Sequence, residues 1–210
     1  VAYKVAFVMD QLAWADRRCV ARRMQILKEA IRKMQMDHRL HDPLRPFSCR
    51  LFYAHEPPSH KFTFDMDGFG WGDLGRAARR MQILLDALTK IHVDHLRRHP
   101  KTPSLYESGV VYEREPPGRE DWQDIFTTLR RGGGDCEDLA TWRAADLIMR
   151  GVPARAFGRP RPMMIPRPCS EDAIACEGKP EVGTLWHILV RLPNGGIEDP
   201  SKKLGMEGAA

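Results

Sequence analysis

Two rhythms of apolar and polar positions run through this chain. Phe62-Thr-Phe-Asp-Met66 alternates in character residue by residue, as a strand with one buried face does, and residues 1–9 are also strand-like. Met81, Leu84, Leu85, Leu88 and Ile91 recur at helical spacing, as do Met24, Leu27, Ile31 and Met34, so each set predicts an amphipathic helix. Asp67-Gly68 breaks the strand before the second helix, and Asp73 is suited to cap that helix. Pro43 and Pro100 follow the two helices, and short strand candidates come next at residues 50–54 and 108–113.

The same elements occur twice because the sequence itself does. Lys4-Val-Ala-Phe-Val-Met-Asp10, Trp14, Asp16 and Ala21-Arg-Arg-Met-Gln-Ile-Leu27 recur as Lys61-Phe-Thr-Phe-Asp-Met-Asp67, Trp71, Asp73 and Ala78-Arg-Arg-Met-Gln-Ile-Leu84. The match runs without a gap to Asp37-His38 against Asp94-His95, about half of the positions being identical. It resumes at Glu56-Pro-Pro58 against Glu115-Pro-Pro117, which marks a tandem duplication. Two β-α-β units in series give βαββαβ, compatible with a split-βαβ sandwich. The alternative is that the second helix belongs to the catalytic fold and the first copy packs beside it. Residues 1–117, with repeats at about 1–58 and 59–117, are thus expected to be a scaffold or interaction region, and residues 118–210 a catalytic region.

Little in the duplicated half points to chemistry. Asp37-His38 and Asp94-His95 lie near helix ends, where a histidine suits the dipole. Trp14 and Trp71 are equivalent and are expected to fill matching core pockets. An RNA-binding sheet would need exposed aromatics on central strands, and Phe62 with Phe64 is the one such pair.

The second half reads differently. Residues 121–129 suggest a short helix, and Gly132-Gly-Gly134 a sharp turn made with unusual backbone angles. A second helix is expected over residues 136–149, stopped by Gly151. A strand is expected over 152–157, and a proline-punctuated loop over 158–182 reads as a substrate-facing flap. In the following strand Trp186, Ile188, Val190 and Leu192 share one face, and His187 shares the other with Leu185 and Leu189.

Composition narrows the function classes. The 210 residues hold no apolar run long enough to span a membrane, so no membrane partner is expected. The first residues lack the basic stretch, apolar core and cleavage site of a secretory signal. Five cysteines at scattered spacings make a poor disulfide framework and suit a thiol enzyme in a reducing cytoplasm. Cys169 and Cys176 lack the second ligand pair that zinc requires. The net charge of +5 comes with repeated arginine pairs, read as solvated helix faces, so nucleic acid is not the expected partner.

The most informative stretch is Gly132-Gly-Gly-Asp-Cys-Glu-Asp138. It places Cys136 in the first turn of a helix, where unpaired amides and the dipole favour a thiolate. His187 and Asp199 follow, completing a nucleophile, base and orienter set. A two-residue hairpin at Asn194-Gly195 would turn position 199 away from His187, so the set requires a three-residue or bulged turn. The Cys136 amide and one further donor, Gln123 or Trp122, are the candidates for holding an oxyanion. Asp135, Glu137 and Asp138 oppose thiolate formation unless they are helix-start carboxylates or bind a cation.

These residues resemble the transglutaminase-like cysteine enzyme superfamily over about residues 119–206. Gly134-Asp-Cys-Glu-Asp138, Gly151-Val-Pro-Ala-Arg155 and the His…Asp-Pro ending carry the likeness. The variant Thr-Leu-x(2)-Gly-x-Gly-Asp-Cys-Glu-Asp is similar to bacterial transglutaminase-like cysteine proteinases and to small phage-encoded transglutaminase-like proteins. The resemblance implies an α+β papain-like core, a nucleophile helix on an antiparallel sheet, with Cys136, His187 and Asp199 as triad. In a calcium-dependent periplasmic branch, acidic residues matching Asp135 and Glu137 hold the metal; no other cofactor is implied. Trp186 before the histidine, and the duplicated front half, depart from that family's pattern.

The expectation is a thiol hydrolase that cleaves a peptide or amide bond of a protein or peptide substrate through an acyl-enzyme. Two alternatives stand beside it: a protein-glutamine acyltransferase that cross-links side chains, and a non-catalytic phage-type structural protein that keeps the fold. The expected setting is the cytoplasm, or the virion if the chain is phage-encoded.

Overall fold

A computed structural model describes residues 3–10, 17–41, 49–56, 59–66, 73–116, 120–165 and 181–206. The chain is a mixed α+β protein. The first repeat forms β1 (Tyr3–Asp10), α1 (Arg17–His41) and β2 (Cys49–Glu56). The second forms β3 (Ser59–Met66), α2 (Leu74–Arg98) and the short β4 (Val111–Tyr112). Asp73 caps α2 as its sequence suggests, its carboxylate accepting the Arg76 amide at 3.0 Å. Trp14, Trp71 and the Asp67-Gly68 break lie outside the described residues.

The duplication is visible as symmetry. The two long helices begin at Arg17 and Leu74 and end at His41 and Arg98, the same 57-residue spacing at both ends. The two equivalent strands pair with each other, antiparallel, and Ala6 faces Thr63, its own repeat counterpart. Val5 opposite Phe64 is mirrored by Phe7 opposite Phe62, so a local two-fold axis passes through that central pair. β2 pairs with β3 on one side, giving the order β2-β3-β1-β5.

The symmetry breaks at the fourth strand. The counterpart of β2 would lie along the free edge of β1, but β5 (Asp121–Gln123) occupies that edge in parallel. The expected short helix over 121–129 is therefore a strand followed by α3 (Ile125–Arg131), with Asp124 capping the helix through the Thr127 amide at 2.9 Å. β4 instead pairs in parallel with β6 (Gly133–Gly134), just before the cysteine. The second repeat thus contributes its last strand to the nucleophile loop.

The rest of the chain builds α4 (Cys136–Met149), the hairpin β7 (Arg155–Ile165) and β8 (Glu181–Arg191), then β9 (Ile197–Glu198) and α5 (Pro200–Lys203). Residues 158–165, expected in a flap, continue β7 in register with β8. Pro160 and Pro162 are accommodated because β7 is an edge strand, where a missing amide donor is tolerated. Of the predicted flap, residues 166–180 lie outside the described residues.

One core joins the regions on either side of residue 117. Val5, Phe7, Met9 and Phe62 on the sheet pack with Leu27 and Met34 of α1, with Leu84 and Leu88 of α2, and with Ala140, Ala144, Ile188 and Val190. Helix α2 bridges the halves directly: Gln82 donates to the Ala156 carbonyl at 2.8 Å, and Asp86 pairs with Arg155 at 2.7 Å. A second cluster, Leu96, Leu105, Ile125, Leu139 and Trp142, supports the far side of α4.

Candidate active site

The start of α4 is fixed from three directions. Gly132 closes α3 in the left-handed region at φ 75°, a conformation glycine adopts without penalty. Gly133 and Gly134, read as turn residues in the sequence, are the buried strand β6 instead. Asp138 then ties the loop down, its carboxylate accepting the Gln123 amide at 2.6 Å and the Asp135 amide at 3.3 Å.

Cys136 is the first residue of α4, as its sequence setting suggests. Its thiol donates to the Glu137 Oε2 at 3.2 Å and also meets the backbone of Ile188, next to His187 on β8. Burial, with the Glu137 and Asp135 carboxylates beside it, pushes the thiol well above its ordinary range, and the Ile188 amide opposes this only in part. Burial likewise raises Asp135, Glu137 and Asp138; neighbouring carboxylates add to the shift of Asp135 and Asp138, whereas hydrogen bonds with Asp135 and Cys136 hold Glu137 back in part. Tyr112 on β4 feels the same field: burial, then the charges of Cys136 and Asp135, raise its phenol to about 12.

His187 and Asp199 are brought together. The His187 Nε2 and Asp199 Oδ2 lie 2.9 Å apart, with His187 almost fully buried. Register explains the encounter. The Leu192 amide donates to the Gly196 carbonyl and the Gly195 amide to the Leu192 carbonyl, enclosing a three-residue loop of Pro193, Asn194 and Gly195. Gly195 takes the left-handed backbone at φ 83° that such a loop needs. The pairing of Val190 with Glu198 then puts Asp199 on the His187 face.

The orienting carboxylate is itself anchored. Asp199 Oδ1 accepts the Lys202 amide at 3.2 Å as the cap of α5, which leaves Oδ2 for the imidazole. The preceding Glu198 is gripped by the Tyr106 hydroxyl, by Arg143 Nε at 2.9 Å and by Lys203 Nζ at 3.1 Å. With Nε2 held, Nδ1 is the ring nitrogen left for proton exchange. Among the described residues no hydrogen bond joins Cys136 to His187; the thiol is turned to Glu137.

Of the two side chains expected to help hold an oxyanion, Trp122 is spent on the core, its ring 5.6 Å from that of Phe7. Gln123 is buried and tied to the start of α4 through its amide, and its Oε1 has no partner among the described residues.

Glu115 is the site residue that local sequence reasoning missed. One carboxylate oxygen each from Glu115, Asp135 and Glu137 lie within 4.8 Å of one another, and Asp135 Oδ1 is buried without a hydrogen-bond partner. Three carboxylates converging on one point suit a hard cation that takes oxygen ligands. The available signal was Glu115-Pro-Pro117, visible as the end of the repeat but not as part of the site.

No protein-family model matches the chain, and neither a curated protein nor a solved structure matches it. Among the described residues no helix is long and apolar enough to cross a membrane.

Proposed function

We propose that this protein is a thiol hydrolase of transglutaminase-like type, cleaving a peptide or amide bond through Cys136, His187 and Asp199. The observation that carries the reading is the 2.9 Å pairing of His187 with Asp199 on the strand whose next amide meets the Cys136 sulfur. Helix α4 packed with the antiparallel β7-β8-β9 sheet supports the reading, since a nucleophile helix on a sheet is the arrangement the resemblance implies.

The chemistry follows from these groups. The Cys136 proton passes to His187 Nδ1 as sulfur attacks the substrate carbonyl. The oxyanion is met by the Cys136 amide and the Gln123 side chain. The C–N bond breaks as His187 protonates the departing amine, leaving a thioester. Water then gives its proton to His187, attacks the thioester and releases the acid, restoring the thiol. Asp199 holds the imidazole tautomer throughout.

The acidic surroundings set a condition. Glu115, Asp135 and Glu137 would hold a divalent cation, calcium by the family resemblance, whose charge favours the thiolate. Engaging Glu137 also removes the thiol's present hydrogen-bond acceptor.

The test is iodoacetamide labelling near neutral pH, read by mass spectrometry, with calcium and with chelator. Calcium is expected to make Cys136 label at least tenfold faster than buried Cys19 or partly buried Cys49, and His187→Ala to abolish that advantage. The same protein should cleave members of a peptide library, and Cys136→Ala should not. Equal labelling of all cysteines, unchanged by His187→Ala, would overturn the proposal.

A further inference from the structure

The repeat provides an internal comparison between two helix faces. On α2 the face directed away from the sheet is covered: Leu85, Thr89 and Leu96 are buried there, and Gln82 and Asp86 reach β7. Their counterparts on α1 are Lys28, Arg32 and Arg39, all exposed. Arg22 and Lys33 are exposed as well. None of these five has an ion-pair partner among the described residues. The one acidic residue on that face, Glu29, lies 3.8 Å from Lys90 of α2.

A merely solvated helix face mixes signs at i,i+4, because like charges at that spacing repel. Here Lys28 and Arg32 are such a like pair, and Glu29, which stands four residues before Lys33, is drawn to Lys90 of α2 instead. At 100° per residue, Lys28, Arg32 and Arg39 form one row and Arg22 and Lys33 another, on either side of a strip of Gln25, Glu29 and Met36. From Arg22 to Arg39 the rows run about 25 Å along the axis. Two cationic rows about a helix width apart match a duplex groove, whose phosphates line both walls of a channel that admits a helix.

Other polyanions fit less well. The apolar stripe of α1 is spent in the core through Leu27 and Met34, so the helix has no face to sink into a lipid surface. The strip carries no aromatic ring on which single-stranded bases could stack.

We infer that the exposed face of α1 is a docking surface for a nucleic-acid duplex, gripped through its phosphates without base readout. The surface is separate from the cysteine site and independent of the hydrolase reading. If each of the five cations meets one phosphate, binding weakens with salt at a log–log slope of about −4 to −5.

Fluorescence anisotropy with a labelled 20-base-pair duplex of arbitrary sequence, in the full chain between 50 and 200 mM salt, tests the inference. Wild type and Cys136→Ala should bind alike, with affinity falling about 10²–10³-fold across that range. Lys28→Glu, Arg32→Glu and Lys33→Glu together should weaken binding at least tenfold and flatten the slope. A charge-matched control, Lys101→Glu, Arg131→Glu and Arg150→Glu, should retain affinity; circular dichroism confirms folding of both variants. Equal loss in the control would reduce the effect to bulk charge and overturn the inference. No duplex binding, or binding only to vesicles of anionic lipid or to a polyglutamate peptide, would do so as well.

Discussion

At the scale of single residues, the site is a contest between a helix start that favours a thiolate and carboxylates that forbid one. The helix start contributes the first-turn position of Cys136 and the Ile188 amide beside its sulfur. Burial first, and then the carboxylates, outweigh these, since the thiol lies well above its ordinary range. Glu137 acts twice, by its charge and by accepting the thiol hydrogen. Glu137→Gln is therefore expected to raise the metal-free alkylation rate of Cys136 several-fold near pH 7, because less repulsion leaves more thiolate. The same change should weaken the response to calcium, since one of three ligands is lost. A slower metal-free rate would show that Glu137 activates the thiol. At this scale the sequence was most legible: Cys136, His187 and Asp199 stand where local residue types put them. Glu115 was not, because a ligand twenty residues upstream is brought to the site by the pairing of β4 with β6 and held there by the Asp121 amide, neither of which local sequence records.

At the scale of elements, the alignment of His187 with Asp199 depends on one residue of loop length. Alternation along β8 and the glycines at 195 and 196 point to a three-residue or bulged turn, because a two-residue turn would put the two side chains on opposite faces, and the chain takes the three-residue form. Deleting Pro193 leaves a two-residue Asn194-Gly195 connection and shifts the register by one. Asp199 should then leave the His187 face, and the calcium-stimulated labelling of Cys136 should fall to the level of His187→Ala. Inserting one glycine beside Gly195 shifts parity in the same way and serves as a second variant, while near-ultraviolet circular dichroism monitors the fold. Full reactivity in both would show that the turn does not set the pairing. The missed elements have a common cause. β5 and the outer part of β7 are strands because a distant edge was open to them, an edge of β1 for Asp121–Gln123 and β8 for residues 158–165. Local propensity carries no record of an open edge: Asp121-Trp-Gln-Asp looks helical and Pro160 and Pro162 look like a loop.

At the scale of the whole molecule, the seam between the second repeat and the site is a buried polar line beneath β5. Arg23 of α1 pairs with Asp124 at 2.8 Å with both side chains almost wholly inaccessible, and Asp124 also caps α3. By the local two-fold, Arg23 corresponds to Arg80, which lies against His38 and Asp37, so it is the first copy's arginine that holds the cap of α3 in place of the matching Asp94-His95 pair. His92 of α2 completes the line, bonded to the Gln123 carbonyl at 3.2 Å. Burial lowers His92 to about 4 and His95 to about 3, opposed in part by the Asp124 charge. Both must stay neutral in the fold, whereas an unfolded chain protonates them below about pH 6.5. The unfolded state therefore binds more protons between about pH 4 and 6.5, and stability falls as pH drops through that window. For His92 alone the loss is about 3 kcal/mol at the acid end. The raised carboxyls Asp135, Glu137 and Asp138 act in the opposite sense, losing stability as pH rises, so the total profile does not isolate the histidine. The difference between wild type and His92→Gln does, because glutamine keeps a donor for the Gln123 carbonyl and does not titrate. Urea unfolding at pH 7, 5.5 and 4.5 should show wild type losing ground to His92→Gln as the pH falls, by about 1 kcal/mol or more between the first and last conditions. A constant difference across the three would mean that His92 titrates in the fold as it does in the unfolded chain, and that the seam tolerates a charged imidazole between Asp124 and Gln123 as readily as a neutral one.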